Sequence, residues 1–342
     1  VSPVRLAIRD CSGAVGLQDT GRVGYQRQGL SASGPVDSLA MAAANVLVGN
    51  PAGTLAIEFG LGGGILRAEG GPIRVGIAGA PCVLRVDGTN MPCHRSFVLP
   101  DSADLTVAPP REGMFAYLAV AGGFAVSAIL GSAALHRRAG LGGLDGRALR
   151  RGDILDLAAS DRAWDPDRGI APLSLDLAEP IRMLLGPQAD HFSEAGLATF
   201  LGAAFSVSHR ADRMGYQLDG PTIAHGPQGY NIVSDATVDG SIQVPGSGLP
   251  IILMADRQTT GGYPKIATVV SADLRRVAQR RPGDTIRFAA VSLDRALELA
   301  RERAARIAGL ARRLQDIAQF DADRLAGANL AGEATDALRD LS

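Results

Sequence analysis

One order of features occurs twice in this chain of 342 residues. In the first occurrence an apolar run ends in Gly122-Gly123-Phe124 and leads, after a variable segment, to Arg151-Gly152-Asp153 and the alternating ILDL. In the second, PIILMADRQTT ends in Gly261-Gly262-Tyr263 and leads to Pro282-Gly283-Asp284 and the alternating TIRF. Upstream, Pro72-Ile73-Arg74-Val75 is echoed by Pro180-Ile181-Arg182-Met183. A Gly-Asp turn feeding an alternating run reads as a strand start, with Leu155/Leu157 and Ile286/Phe288 each facing one side. Repeated strands and turns, with 43 glycines to supply tight backbone corners, point away from a helical bundle. They predict a mainly β, β-rich α+β chain built from two related subdomains, which the length also suits. The Asp- and Pro-containing stretch at 161–172 joins them, giving a first subdomain over 1–165, a second over 173–292 and a helical extension over 293–342.

The uncharged run from Met114 to Leu135 is long enough to span a bilayer. Its first part is strand-like, Gly122-Gly123 interrupts it, and the second copy of the pattern is polar. A buried strand, a Gly turn and a following apolar segment are therefore expected. Arg5 and Arg9 precede no apolar leader. A formal charge of −1 gives no global attraction to nucleic acid or an anionic membrane. Cys11, Cys82 and Cys93 are odd in number and form no CxxC pair, and Cys93-His94 fits no standard zinc spacing, so no disulfide framework and no metal site are expected. The composition is that of a reduced, cytoplasmic protein.

Lys265 is the sole lysine, and Arg supplies the rest of the 34 basic residues. An ammonium is a compact point charge with a tunable pKa, suited to a carboxylate, a phosphate or a developing oxyanion. Placing one Gly-Gly turn on the other puts Tyr117, Ala119 and Val126 where Asp256, Gln258 and Lys265 stand. The polar cluster then reads as a site on one copy rather than a requirement of the fold; a solvated polar loop is the other reading. Gly261 and Gly262 let backbone N–H groups approach a ligand, but GxxxxGK[ST] is absent.

The stretch at 16–37 carries Gln18, Asp19, Arg22, Ser33 and Asp37 and reads as a loop at a second site or an interface. SVSHRADRMGYQLDG brings Arg213, while His209 and His225 have no partner fixed by sequence. A helix is predicted from about Asp37 to Val48, stopped by Gly49 and Pro51. Ser292 caps an amphipathic helix with Leu293, Leu297, Ala300, Ala304, Ile307, Leu310, Leu314 and Ile317 on one face, packing on its own barrel or on a partner.

Three blocks together carry a resemblance: GLQDTGRVGYQRQGLSASGPVDSLAMAAANVLVGNP, SHRADRMGYQLDGP and SIQVPGSGLPIILMADRQTTGGYPKIATVVSADLRRVAQRRPGDTIRF. They resemble the allophanate hydrolase subunit 2 or KipA-like family, the carboxyltransferase A and B subdomains, over roughly residues 13–292. The blocks are most like those of the family members that serve as the C component of 5-oxoprolinase. The resemblance implies two cyclophilin-like β-barrel subdomains, a KipI-like partner carrying subdomains C and D, and a further LamB/YcsF-like subunit. It implies ATP, at the level of the complex, and a small-molecule amide, 5-oxo-L-proline, opened to L-glutamate.

In that frame Lys265 and Arg257 would polarise the carbonyl, and Asp256 and Gln258 would hydrogen-bond the substrate amide. Thr259, Thr260, Gly261, Gly262 and Tyr263, with Gln243 and Arg213, would position it. The sequence departs from the family where Asp235-Ala236 replaces the commoner Glu-Gly and SASGPVD the commoner PPSGAMD. The shorter carboxylate leaves Asp235 outside the expected catalytic set. Two other functions fit the same family: a carboxyltransferase component of a biotin-dependent urea or amide carboxylase, and a non-enzymatic KipA-like regulator of a kinase inhibitor. With its only lysine in the Gly-Gly block, the chain is not expected to carry biotin itself.

Overall fold

The computed structural model describes residues 3–158 and 166–317, which form two large sheets and one small one. The first sheet draws on β1 (Arg5–Gln18), β2 (Ala56–Glu69), β3 (Ile73–Gly79), β4 (Leu84–Val86), β5 (Thr89–Met91), β6 (Arg95–Leu99), β7 (Asp104–Val107), β8 (Phe115–Val120), β9 (Ile154–Asp156) and β10 (Arg168–Gly169). The second draws on β11 (Ile181–Leu185), β12 (Phe205–Val207), β13 (Gly215–Asp219), β15 (Ser241–Gln243), β16 (Ile251–Leu253), β18 (Lys265–Val269), β19 (Thr285–Ile286) and β20 (Phe288–Ala290). Interspersed in sequence among the strands of the second sheet, β14 (Asp235–Ala236) and β17 (Thr260–Gly261) make a separate two-stranded ribbon.

The first sheet runs β10-β6-β3-β8-β2-β7-β4-β5, with β1 bridging β2 and β9; the second runs β19-β12-β13-β16-β15-β18-β11-β20. One forms a half-barrel and the other a nearly closed barrel. A late strand, β21 (Gln315–Asp316), returns to pair with β10, so the last described segment belongs to the first sheet.

The repeat is visible in the pairing. Gly152 donates to Ile8 O and Ile8 to Asp153 O; likewise Gly283 donates to Val207 O and Val207 to Asp284 O. Each Gly-Asp turn thus feeds a strand, as the sequence predicts, β9 lying against β1 and β19 against β12. The PIR strands also correspond, because Val75 pairs with Val120 and Met183 with Val269. This overturns the register obtained by superposing the two Gly-Gly turns. The strand matching β8 is β18, which follows the second Gly-Gly, so Lys265 corresponds to Ala116 rather than Val126. Backbone pairing fixes register, whereas glycine turns recur wherever a chain must reverse.

Strand β8 explains the uncharged run. Phe115, Tyr117 and Ala119 belong to a core shared with the second sheet, while Leu118 and Val120 face the first barrel's own core. A strand buried on both faces reads as continuous apolar sequence. Gly122 and Gly123, both at positive φ, then turn the chain. No helix among the described residues is long and apolar enough to cross a membrane.

Helix α1 (Ser38–Leu47) lies between the sheets, and nearly all of its residues are buried. It approaches β3 so closely that a Cβ on Gly76 would meet the Ala44 carbonyl oxygen at 2.7 Å. Its N-cap, Asp37, accepts from Ala40 N and also from Gln279 Nε2 at 2.9 Å and Arg275 Nε at 3.3 Å, the first beyond and the second within the short helix α3 (Leu274–Ala278). Gln279 in turn receives the amides of Met114 and Phe115. Asp37 is therefore an inter-sheet tie. Asp37→Ala removes a cap and strands two buried donors, and is expected to cost about 2–4 kcal/mol in chemical denaturation.

The C-terminal helix is shorter than its periodicity implies. The last helix, α4 (Leu293–Ala308), is capped by Ser292 as expected and reaches Gly309, after which the chain turns into a 3-10 segment and β21. Leu310 and Leu314 pack on the core from outside the helix, and Ile317 donates its amide to Asp167 O. The remainder of the predicted extension, 318–342, and much of the predicted junction lie outside the described residues.

Candidate active site

Lys265 opens β18, where its side chain is 2% exposed. Nζ lies 2.5 Å from Asp235 Oδ2 and 2.9 Å from the Ala236 carbonyl oxygen. Gln188 closes the group from the other side, donating to Asp235 Oδ2 at 3.1 Å and accepting the Lys265 backbone amide at 3.1 Å. The ribbon of β14 and β17 holds Asp235 over the lysine, since Asp235 pairs with Gly261 and Ala236 with Thr260. Hydrogen bonds from Lys265, Gln188 and the Ala236 amide hold the Asp235 carboxyl below the usual carboxylate range. Asp235 remains about half exposed, so the pair presents its acid to solvent and its base behind it.

Gln243 pairs with Lys265 across β15 and β18 and donates to Tyr263 O, and its Oε1 accepts Gln258 Nε2 at 3.1 Å. A Cβ on Gly261 would meet Gln243 Nε2 at 2.3 Å, which is why glycine stands there. Thr259 O and Gln258 O are held by Thr237. The structure thus gathers Lys265, Gln258, Gln243, Thr260 and Gly261 around one group. Arg257, by contrast, turns to Asp239 and Gln26.

Asp256 turns the opposite way, into the contact between the two sheets. Its carboxylate receives Ser33 Oγ at 2.5 Å and Arg213 Nε and Nη2 at 2.9 Å each. Arg213 also reaches Glu58 Oε1 at 2.6 Å and Gly34 O at 2.7 Å, and Tyr117 donates to Glu58 Oε2 at 2.6 Å. Burial disfavours the Arg213 charge, but Glu58 and Asp256 outweigh it and hold the guanidinium pKa above its ordinary value. Burial, with the Glu58 and Asp37 carboxylates, pushes the Tyr117 phenol well up.

The expected site residues are therefore split: Asp256 of the catalytic set and Arg213 of the positioning set line a cavity of about 380 Å³ between the sheets, and Lys265 does not. Gln18 and Glu58 line it as well. Of the other N-terminal candidates, Asp19 ties Gly21, Ser132 and Ala133, and Arg22 is spent on the carbonyls of Ile129 and Ser132. Nearby, Ser31 Oγ meets His136 Nε2 at 2.9 Å, but His136 Nδ1 already accepts the Ala139 amide. Nε2 then carries the proton, and the serine is not activated as a nucleophile.

Residues 28–290 match the family described as carboxyltransferase domain, subdomain A and B. The chain belongs to this family. It is 39% identical over 295 residues to the 5-oxoprolinase C component of Haemophilus influenzae, covering 86% of this chain and 94% of that one. The Escherichia coli protein of the same name is 36% identical over 282 residues, covering 82% and 90%. Solved carboxyltransferase-family structures share the architecture. The Kluyveromyces lactis urea amidolyase superposes with a TM-score of 0.82 at 26% identity, and the urea carboxylase of the same yeast with 0.81 at 25%. This chain spans 20% and 30% of those larger proteins, and 91% and 94% of itself is covered.

Three residues of these groups were missing from the expected set. Asp235 lies outside the expected set for its short side chain, yet it reaches Lys265 because the β14–β17 ribbon brings its backbone close. Gln188 lies 77 positions from Lys265, and only the fold joins them. Glu58 had a signal: a carboxylate inside the apolar strand AIEFG must be paired if it is buried.

Proposed function

We propose that the chain is a subunit of an ATP-dependent 5-oxoprolinase, acting with KipI-like and LamB/YcsF-like subunits to open 5-oxo-L-proline to L-glutamate. The observation that carries this reading is the Lys265–Asp235 pair. A five-membered lactam is locked as a cis amide, so its N–H and C=O leave the ring on the same edge. A carboxylate acceptor beside an ammonium donor matches that edge. Asp235 accepts the lactam N–H; Lys265, freed of one partner, faces the oxygen on which charge develops. Gln188 holds the Asp235 carboxylate and the Lys265 backbone in place, and Gln243 pairs with Lys265 through the backbone. Ring opening breaks the C–N bond, places a water oxygen in the new carboxylate and leaves the nitrogen as the amine. Identity of 39% in an alignment covering 94% of a 5-oxoprolinase C component supports the assignment.

A subunit role is also supported by the rim. Tyr230, Val233, Val238 and Tyr263 are 48%, 93%, 50% and 41% exposed and flank the Asp235 ribbon or Lys265. An apolar rim around a small polar group is what a partner protein would cover.

ATP does not fit the Lys265 group. Its one cation is already neutralised by Asp235. The nucleotide is therefore assigned to the complex rather than to this group. Covalent biotin does not fit either, because the sole lysine is buried and paired. A urea N–H and C=O also share an edge, so a carboxyltransferase working with a separately biotinylated partner would use the same pair.

The test is glutamate release from 5-oxoproline by the reconstituted complex, with this chain present or omitted and bicarbonate excluded. ATP-dependent glutamate only in the complete mixture is expected; turnover that needs bicarbonate and biotin would assign the chain to carboxyl transfer instead. In the same assay Asp235→Asn is expected to lower turnover about 10²-fold by losing the ion pair and the negative charge of the N–H acceptor. Because the Asp235 pKa is depressed, the pair is intact at neutral pH, and its contribution is lost only as pH falls through that lowered value.

A further inference from the structure

A second polar cluster lies away from the Lys265 group, where α4 docks on α1 and α3. A cleft of about 160 Å³ there is lined by Arg182, Arg275, Arg276, Arg303 and Arg306, together with Asp176 and Glu302. Three of the four carboxylates nearby are already paired with arginines, and the fourth, Asp176, keeps its charge toward Arg306. Asp273 is shared by Arg182 and Arg276, Asp37 receives Arg275 Nε, and Glu302 pairs with Arg295 outside the cleft. Asp176 accepts Ser174 Oγ through its side chain and Arg276 through its carbonyl. Among the described residues Arg303 reaches only a neutral partner, Ser38 Oγ at 2.7 Å.

Arg275, whose side chain is 10% exposed, donates through Nη1 to Ser174 O and leaves its Nη2 buried without a hydrogen-bond partner among the described residues. Arg306 makes neither a hydrogen bond nor an ion pair among the described residues, and burial followed by repulsion from Arg275 and Arg313 depresses its pKa. Cations gathered at this density, with a buried donor unspent, cost free energy unless an anion joins them.

We propose that this cleft binds a phosphate group, free or carried on a small molecule. A tetrahedral oxyanion offers several acceptors to guanidinium donors that converge from three elements, Arg275 on α3, Arg303 and Arg306 on α4, and Arg182 on β11. The volume admits a phosphate and excludes a whole nucleotide, so any larger ligand leaves its remainder in solvent. Bound there, the anion ties α4 to the body of the protein. The inference is independent of the proposed reaction.

The experiment is thermal unfolding and calorimetric titration of the full chain with inorganic phosphate and, separately, ADP, each at ionic strength matched with sodium chloride. Saturable stabilisation by inorganic phosphate is expected, with affinity on the order of millimolar or tighter. Arg306→Ala and Arg303→Ala, both at partly exposed positions, are expected to weaken binding at least about tenfold while leaving unfolding in chloride unchanged. Response to ADP alone would support the site and identify an organic phosphate as its ligand. Equal stabilisation by chloride, or phosphate binding undiminished in both variants, would overturn the proposal.

Discussion

Replacing Arg213 by Met is expected to destabilise the protein by about 3–5 kcal/mol, a large share of what holds a typical domain together. The guanidinium is the only cation bonded to either Glu58 or Asp256 among the described residues, and those two side chains are 3% and 4% exposed. With Met in its place, two carboxylates remain in a low-dielectric contact with no countercharge, and Ser33 and Gly34 O lose a donor. The loss runs through both sheets, because Glu58 lies on β2 and Asp256 just after β16. Chemical denaturation of the purified chain measures it. A triple replacement, Glu58→Gln, Asp256→Asn and Arg213→Met, removes the stranded charges and is expected to recover part of the loss, which separates buried charge from lost packing.

Replacing Lys265 by Met is expected to do the reverse, lowering turnover of the assembled complex about 10²–10³-fold at little cost in folding. The stability cost is small because Asp235 is about half exposed and rehydrates when its partner leaves, so the pair contributes no more than about 1 kcal/mol after solvent screening. The Lys265 backbone stays in place through its own bonds to Gln188 and the β15–β18 pairing. The geometry also answers why this position is a lysine in a chain that uses arginine elsewhere. Nζ sits between a carboxylate at 2.5 Å and a carbonyl at 2.9 Å in a slot that is 2% exposed. A compact ammonium fills that slot; a planar guanidinium would have to displace the β14–β17 ribbon. Lys265→Arg is therefore expected to behave like Lys265→Met in turnover, measured on complexes of equal assembly.

Strand-level features were legible because they are local. The Gly-Asp turns, the cap at Ser292, the Asp37 helix start and the doubly buried β8 each follow from neighbouring residues. The register between the two copies was not, because glycine turns repeat without preserving pairing, and only the bonds of Val75 to Val120 and Met183 to Val269 set it. The same holds for the site. A lone lysine beside Gly261 and Gly262 marks one location, yet Asp256, Arg257 and Gln258 stand in a turn that sends consecutive side chains to three different partners. Proximity in sequence grouped them; the turn separates them. Asp37, Asp19 and Arg22, polar residues of one loop that read as a second site or an interface, are bonded within the fold, Asp37 to Gln279 and Arg275 across the two sheets.

The most direct test of the account is a double-mutant cycle on Lys265→Met and Asp235→Asn, read as ATP-dependent glutamate release by the complete complex. If the two side chains act as one unit on the lactam edge, each single replacement and the double fall to the same low rate, since the second change removes nothing that the first left working. Losses that multiply, or a Lys265→Met complex that turns over like the native one, would contradict it.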